Sequence, residues 1–279
     1  MLKESQTPST LCGNGRYQAA RTVLVISSDQ LFVNCAEGGN VTSEVWDVPA
    51  LVEWVQRERA GDLKTVELLG SLSRSSRIFR YHMVLARDAF KDFKDDDHLK
   101  MTVGMFGADE DEGVAFENAK LVSEANLIAS INVVRNSYDI FAQVVNSLVL
   151  DNPFKVHDCN IHGVCRTLAP SELKTTLERV VSSGWYYYLS DFTNTIKHRQ
   201  LLKHDPSISF VENISGGKIE RFTYERPIQP SAKSKTSNRF GEHRSHPSYW
   251  VRDVLQGAVE VHNEIRACGQ FVSRMLMVP

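Results

Sequence analysis

One long stretch of this chain, residues 114–150, contains neither glycine nor proline. Within it, apolar side chains recur every seven residues and are supported by Val145: Leu127, Val134, Phe141 and Leu148. Apolar residues at this spacing lie on one face of an α-helix and form a seam that faces a core. The stretch therefore predicts a helix of about ten turns that must bury one side, which favours a helical bundle.

Other segments predict shorter elements. Helical patterns occupy residues 45–59, 72–93, 170–181, 185–204 and 249–271, and residues 22–34 predict a short strand or strand pair. Strand patterns around Ser215-Gly216-Gly217 predict a β hairpin over residues 207–226. We therefore predict a mainly α protein, with an α-rich N-terminal extension (1–112) and a helical bundle (113–279) into which the hairpin is inserted.

Composition excludes several classes of function. A formal net charge of −2 gives no overall attraction to nucleic acid or acidic membranes, so such binding would require a local patch. No apolar run of about 18 residues is present, which predicts no membrane span, and the first twenty residues lack the apolar core of a secretory signal. The five scattered cysteines indicate a reducing, cytoplasmic environment.

The segment 185–204 carries the side chains best suited to chemistry. On a helical wheel, its apolar stripe consists of Trp185, Tyr188, Leu189, Phe192 and Ile196. The opposite side is polar: Asn194, Lys197 and His198, with Tyr187 and Asp191 nearby. An amphipathic helix buries its apolar stripe. A face of Asn, Lys and His can bind phosphate and move protons, so this segment is the first candidate for an active site.

A second polar line follows the long helix, away from its apolar seam, through Asn132, Arg135, Asp139 and Asn146. Arg135 and Asp139 are four residues apart and therefore neighbours on a helix surface. One interpretation is an exposed ion pair, which contributes little to stability. The other is that both side chains face the polar side of the 185–204 helix, as antiparallel helices of a bundle allow.

The order of segments between residues 114 and 204 is distinctive. A long helix with RNSYDIFAQVVN is followed by a loop, a shorter helix and a helix ending in DFTNTIKHR. This arrangement resembles the HEPN superfamily, and particularly its uncharacterised bacterial branches, over about a third of the chain. The resemblance implies a helical bundle, often dimeric. It also implies a metal-independent ribonuclease of the toxin–antitoxin or phage-defence type.

The same resemblance implies candidate catalytic residues. The family signature is an Arg followed, after four to six residues, by a His. Arg199 and His204 match it with four residues between them. Asn194, Lys197 and His198 form an alternative core, although no Arg precedes His198 at the family spacing.

A metal-independent ribonuclease uses the substrate's own 2′-hydroxyl as nucleophile. His198 or His204 would exchange protons with the reacting oxygens. Arg199, Lys197 or Arg135 would stabilise the charge on the phosphate. Catalysis therefore requires one of these histidines to lie within reach of one of these cations, in a cleft.

Two further segments have open interpretations. The basic, proline-rich residues 227–247 suit either a flexible linker or single-stranded nucleic acid, with Lys233, Lys235, Arg239 and Arg244 as candidate contacts. Cys159, His162 and Cys165 could hold zinc, but they lie in one short segment without a Cys-x-x-Cys pair. We interpret them as an ordinary loop with small buried thiols, and predict no metal or cofactor.

Two functional hypotheses follow, with RNA or nucleotide as the ligand in both. The first is a cytoplasmic, dimeric HEPN-like ribonuclease with an antitoxin partner. The second is a non-catalytic HEPN-like module that binds RNA or nucleotide, or a dimeric scaffold. A third alternative is an unrelated helical protein whose Asn-Lys-His face is merely solvated.

Overall fold

The computed structural model describes residues 46–107, 109–225 and 243–277. The helices are α1 (Val48–Glu58), α2 (Leu63–Asp88), α3 (Leu99–Phe106), α4 (Glu110–Leu148), α5 (Ile161–Thr167), α6 (Glu172–Val181), α7 (Gly184–His198) and α8 (Val251–Met277). The strands are β1 (His204–Ser209), β2 (Ile214–Ile219), β3 (Phe222–Glu225), β4 (His243–His246) and β5 (Tyr249–Trp250). The mainly α class with a small antiparallel insertion is confirmed. Within the described ranges, the apolar stretches of the helices are too short to span a bilayer.

The long helix α4 begins four residues earlier than its apolar pattern predicts. Asp109 accepts a hydrogen bond from the Glu112 backbone N–H, and acidic residues occupy the first turn. A carboxylate cap and negative charge both stabilise the N-terminus of a helix. The predicted seam of α4 is fully enclosed, with Leu127, Val134 and Phe141 all at 0% exposure.

The core lies where α2, α7 and α8 pack around α4. Hydrogen bonds between His82 and Asn126 and between Thr65 and Ser147 show that α2 runs antiparallel to α4. On another side of α4, the Tyr138 hydroxyl donates to the Val261 carbonyl of α8 at 2.7 Å. The helices α1 to α3 thus pack together with the bundle across the predicted boundary at residues 112–113. The predicted strand pair at residues 22–34 lies outside the described residues.

The β hairpin turns at different residues from those predicted. β1 pairs antiparallel with β2, and the chain reverses at residues 210–213. The prediction of a turn at Gly216-Gly217 is wrong, because both glycines lie inside β2 and pair with β1. A Cβ on Gly217 would lie 2.5 Å from the His204 ring. Glycine in a strand often marks such a close approach.

The helix predicted for residues 185–204 is also shorter than expected. α7 ends at His198, and Arg199 has the non-helical dihedral angles φ −132° and ψ −75°. His204 is the first residue of β1 and pairs with Ile219. Part of the segment predicted to be flexible, residues 243–246, forms β4 and pairs with β3.

Candidate functional site

His204, one half of the predicted Arg–His signature, is a core residue. It is 7% exposed, and its Nε2 lies 3.0 Å from the Ser123 hydroxyl of α4. Burial lowers the pKa of His204 below 6.5. The prediction of His204 as an accessible helical acid–base group is therefore wrong, because pairing of β1 with β2 draws the residue under Gly217.

The other predicted catalytic residues are at the C-terminal end of α7. Lys197 and His198 are exposed, and Asn194 is half-buried. Arg199 donates to the Glu225 carbonyl at 2.7 Å and lies over the Tyr224 ring. Arg199 and His204 consequently contact different elements, β3 and α4, and do not converge.

The predicted pair of Arg135 and Asp139 forms. Arg135 Nη1 donates to Asp139 Oδ1 at 2.9 Å, as the helical spacing requires. Tyr186, at the N-terminal end of α7, contributes to the electrostatic surroundings of Arg135. Because a helix rises 1.5 Å per residue, His198 lies about 18 Å further along α7 than Tyr186. Arg135 therefore faces α7, but at the opposite end from His198.

The structure brings a different set of side chains together. An open cleft of about 610 Å³ lies between the N-terminal half of α7 and the chain around β4. We call it the aromatic cleft. Its lining is rich in aromatic and histidine side chains: Trp185, Tyr187, Tyr188 and Tyr249, with His243, Arg244 and His246.

A buried carboxylate ties the two walls of the aromatic cleft together. Asp191 of α7 is 1% exposed. Its Oδ1 accepts from Arg244 Nη2 at 3.1 Å, and its Oδ2 lies 2.9 Å from Arg244 Nε. His246 Nε2 lies 2.8 Å from Oδ2. Because an ionised carboxylate only accepts hydrogen bonds, His246 donates through Nε2, which leaves Nδ1 as its second ring nitrogen.

The aromatic rings of the cleft are held by one another and by Arg244. The Arg244 guanidinium lies 4.3 Å from the Tyr187 ring centroid, a cation–π stack. Trp185 contacts Tyr249 with ring centroids 5.0 Å apart, and Tyr188 contacts His246 edge to face. The Tyr188 hydroxyl is buried and has no hydrogen-bond partner among the described residues. The cleft therefore offers planar apolar surfaces beside a fixed cation.

The sequence pattern points to this site only in part. It puts Asp191 near the polar face of the helix and predicts Arg244 as a nucleic-acid contact. It assigns Trp185 and Tyr188 to the buried apolar stripe and gives no role to His246. The sequence does contain a signal for this site. Asp191 directly precedes Phe192, an apolar-stripe residue, in a helix rich in aromatic side chains. A carboxylate in such a position requires a buried cationic or hydrogen-bonding partner.

A second hollow, of about 420 Å³, lies where α4 ends near the start of α2. Thr65 bonds both Asp62 and Ser147 at 2.7 Å. Burial would raise the pKa of Asp62, but the hydrogen bonds from Thr65 and Ser147 lower it. Arg59 donates to the last carbonyls of α4. These polar groups satisfy one another, so the hollow is explained by capping of the helix.

Cys159 and Cys165, for which zinc binding is the alternative interpretation, are buried thiols. Cys159 and Cys165 are free, and burial raises the pKa of Cys165 to about 11. A thiol with so high a pKa carries little thiolate at neutral pH and is a poor nucleophile or ligand. Among the described residues, no group of three or more His, Cys, Asp or Glu is arranged to hold a metal ion.

Comparisons with protein-family models, with curated proteins and with solved structures found no match to this chain. The resemblance to the HEPN superfamily therefore stays a prediction.

Proposed function

We propose that this protein is an RNA- or nucleotide-binding module whose ligand occupies the aromatic cleft. The observation that carries this proposal is the stack of Arg244 on Tyr187, held by the buried Asp191 beside Trp185 and Tyr249. Unpaired bases stack on aromatic rings and on arginine planes, and each stacked base contributes about 1–3 kcal/mol. A preorganised stack of this kind lowers the entropy cost of binding.

The distribution of charge supports a polyanionic ligand. The chain between Glu225 and His243 joins β3 to β4 and carries Lys233, Lys235 and Arg239. Both ends of this basic segment are thus attached to the paired strands β3 and β4, and β4 lines the cleft. A local concentration of positive charge can attract phosphates although the whole chain is slightly acidic.

The geometry favours binding over catalysis at the residues predicted from the sequence. His204 is enclosed against Ser123, and the exposed side chains of Lys197 and His198 make no hydrogen bond or ion pair within the described structure. Catalysis there would need an acid–base group and a phosphate-binding cation in one cleft. The binding alternative needs only the aromatic cleft and its cation.

Binding is tested by fluorescence anisotropy with a labelled single-stranded RNA octamer. We expect Tyr187→Ala to weaken binding about tenfold to a hundredfold, because one stacking surface is lost. Tyr187→Phe should retain the affinity. The matched control is Tyr81→Ala, which removes an exposed tyrosine of α2 outside the cleft lining. Equal affinities for wild type and Tyr187→Ala would disprove the proposal.

One observation also favours a second candidate function, metal-independent RNA cleavage. His246 lines the cleft, and its hydrogen bond to Asp191 orients the ring and leaves Nδ1 as the nitrogen that can accept a proton. We propose His246 as the general base that would deprotonate a 2′-hydroxyl, with Arg244 beside the phosphate.

The test of cleavage uses labelled RNA in excess chelator. Under this hypothesis wild type and His198→Ala cleave, whereas His246→Gln does not. Absence of cleavage by wild type that still binds RNA would leave the binding function alone. A homodimer and an antitoxin partner, both implied by the HEPN resemblance, are tested by light scattering and by co-purification.

A further inference from the structure

The walls of the aromatic cleft carry two separate pairs of flat side chains in contact. In the first pair, the Arg244 guanidinium lies 4.3 Å from the Tyr187 ring centroid. In the second pair, the ring centroids of Trp185 and Tyr249 lie 5.0 Å apart. All four side chains border the cleft, and each is half-buried. The cleft therefore presents two flat surfaces, which we call platform 1 (Tyr187 and Arg244) and platform 2 (Trp185 and Tyr249).

Two buried rings separate the platforms. Tyr188 and His246 also border the cleft, but both are buried. The Tyr188 ring contacts both rings of platform 2, with centroids 5.6 and 5.3 Å apart, and the His246 ring at 5.3 Å. His246 in turn shares the Asp191 carboxylate with Arg244 of platform 1. Tyr188 and His246 thus form the floor of the cleft between the two platforms.

The geometry of α7 also keeps the platforms apart. Trp185 and Tyr187 point about 160° apart around the helix axis, with Tyr188 between them. A helix with its side chains is about 10–12 Å across, so rings on opposite flanks are too far apart to cover one base together. One base can therefore stack on one platform, and a second base is needed to occupy the other.

The two platforms define the kind of nucleic acid that fits. Bases inside a duplex stack on one another and are paired, so their faces are not free to meet a protein ring. Unpaired bases of a single strand can be splayed apart and stacked on aromatic or arginine planes. Ring faces accept every base, so stacking of this kind is tolerant of sequence.

We propose that the aromatic cleft takes two consecutive unpaired bases of a single RNA strand, one on each platform and splayed apart by the floor. This inference rests on the proposed binding function and decides between its two ligands, an RNA strand and a free nucleotide. It assigns Trp185 and Tyr249 the role of stacking the second base.

The test counts stacked bases at constant charge. It uses fluorescence anisotropy with labelled RNA octamers that carry one, two adjacent or three adjacent uridines and are otherwise abasic. In wild type, the second uridine should tighten binding about tenfold to a hundredfold, because it adds one stacked base. The third uridine should add less than about twofold, because no platform remains for it. The base count in wild type does not depend on the folding of any variant.

Two variants then locate the second base. Trp185→Leu and Tyr249→Leu each remove one ring of platform 2, so both should lose most of the gain from the second uridine. Trp185 also packs against Gly257 of α8, whereas Tyr249 lies on β5, so the two substitutions disturb different neighbours. Thermal unfolding checks that each variant is folded. The matched control is Tyr81→Leu, outside the cleft lining, which should keep the whole gain.

Two results would overturn the inference and leave the binding function intact. One is a wild type that gains nothing from the second uridine, although Tyr187→Ala weakens binding of the one-uridine octamer; the cleft would then take a single nucleotide. The other is an undiminished gain in both Trp185→Leu and Tyr249→Leu. If even the first uridine adds nothing over a fully abasic octamer, the binding function itself is refuted.

Discussion

The two ends of α7 carry similar residue types but have different surroundings. At the N-terminal half, Tyr187 and Asp191 meet Arg244 and His246 of β4, and a cleft forms. At the C-terminal end, Lys197 is exposed and has no described hydrogen bond or ion pair. Reactive side chains on one helix therefore become a candidate site only where a second element supplies their partners.

The largest contrast between the two ends should appear in stability. Asp191→Ala removes a buried carboxylate and leaves Arg244 and His246 without it, which should cost about 3–5 kcal/mol of unfolding free energy. Lys197→Ala, six residues along the same helix, should change stability by no more than about 0.5 kcal/mol. Denaturant unfolding measures both values. Similar losses in the two variants would mean that the ends of α7 do not differ as described.

A pH titration extends the comparison from exposed to buried histidines. Burial, with Arg266 and Arg80, lowers the pKa of His262 from 6.5 to about 4. The unfolded chain then binds more protons between these values, so stability is lost as the pH falls through this range, by at most about 3 kcal/mol. His204 contributes in the same direction.

Unfolding curves from pH 7 to pH 4 check this prediction. In His262→Phe, the free energy of unfolding should fall less steeply than in wild type as the pH decreases from 7 to 4. Parallel profiles for wild type and His262→Phe would contradict the assignment.

The wall of the cleft can be displaced by one methyl group. A Cβ on Gly257 of α8 would lie 2.1 Å from the Trp185 ring, so Gly257→Ala must shift the tryptophan. We expect a loss of about 1–3 kcal/mol and a change in tryptophan fluorescence. The control is Gly70→Ala in α2, where the added methyl meets nothing within 4 Å. That variant should gain about 0.5–1 kcal/mol from helix propensity; equal effects in both would refute the close contact.

The smallest effect is expected at the C-terminal end of α7. Arg199→Ala removes one hydrogen bond to the Glu225 carbonyl and a contact with Tyr224, both at the surface. A loss of about 0.5 kcal/mol is expected in denaturant unfolding. A loss as large as that of Asp191→Ala would show that Arg199 anchors β3 as firmly as Asp191 anchors β4.

Local patterns predicted some elements and failed at others for physical reasons. The apolar seam of α4 depends on helical periodicity, which involves only residues close together in the sequence. Leu127 and Phe141 are buried as predicted. The residues after His198 keep a pattern compatible with a helix, yet strand pairing with Ile219 takes His204 into β1. The predicted position of the turn is wrong for a similar reason. Gly217 lies inside β2, where its missing side chain makes room for the His204 ring.

By itself, the sequence determined the fold class, the long central helix and the aromatic side of α7. These features depend on periodicity and capping within a few turns of chain. Only the tertiary structure decided which polar residues form a site. Asp191 and His246 lie 55 positions apart in the chain, and their contact arises from packing of β4 on α7. Long-range pairing of this kind leaves no period in the sequence, because it depends on where separate elements meet.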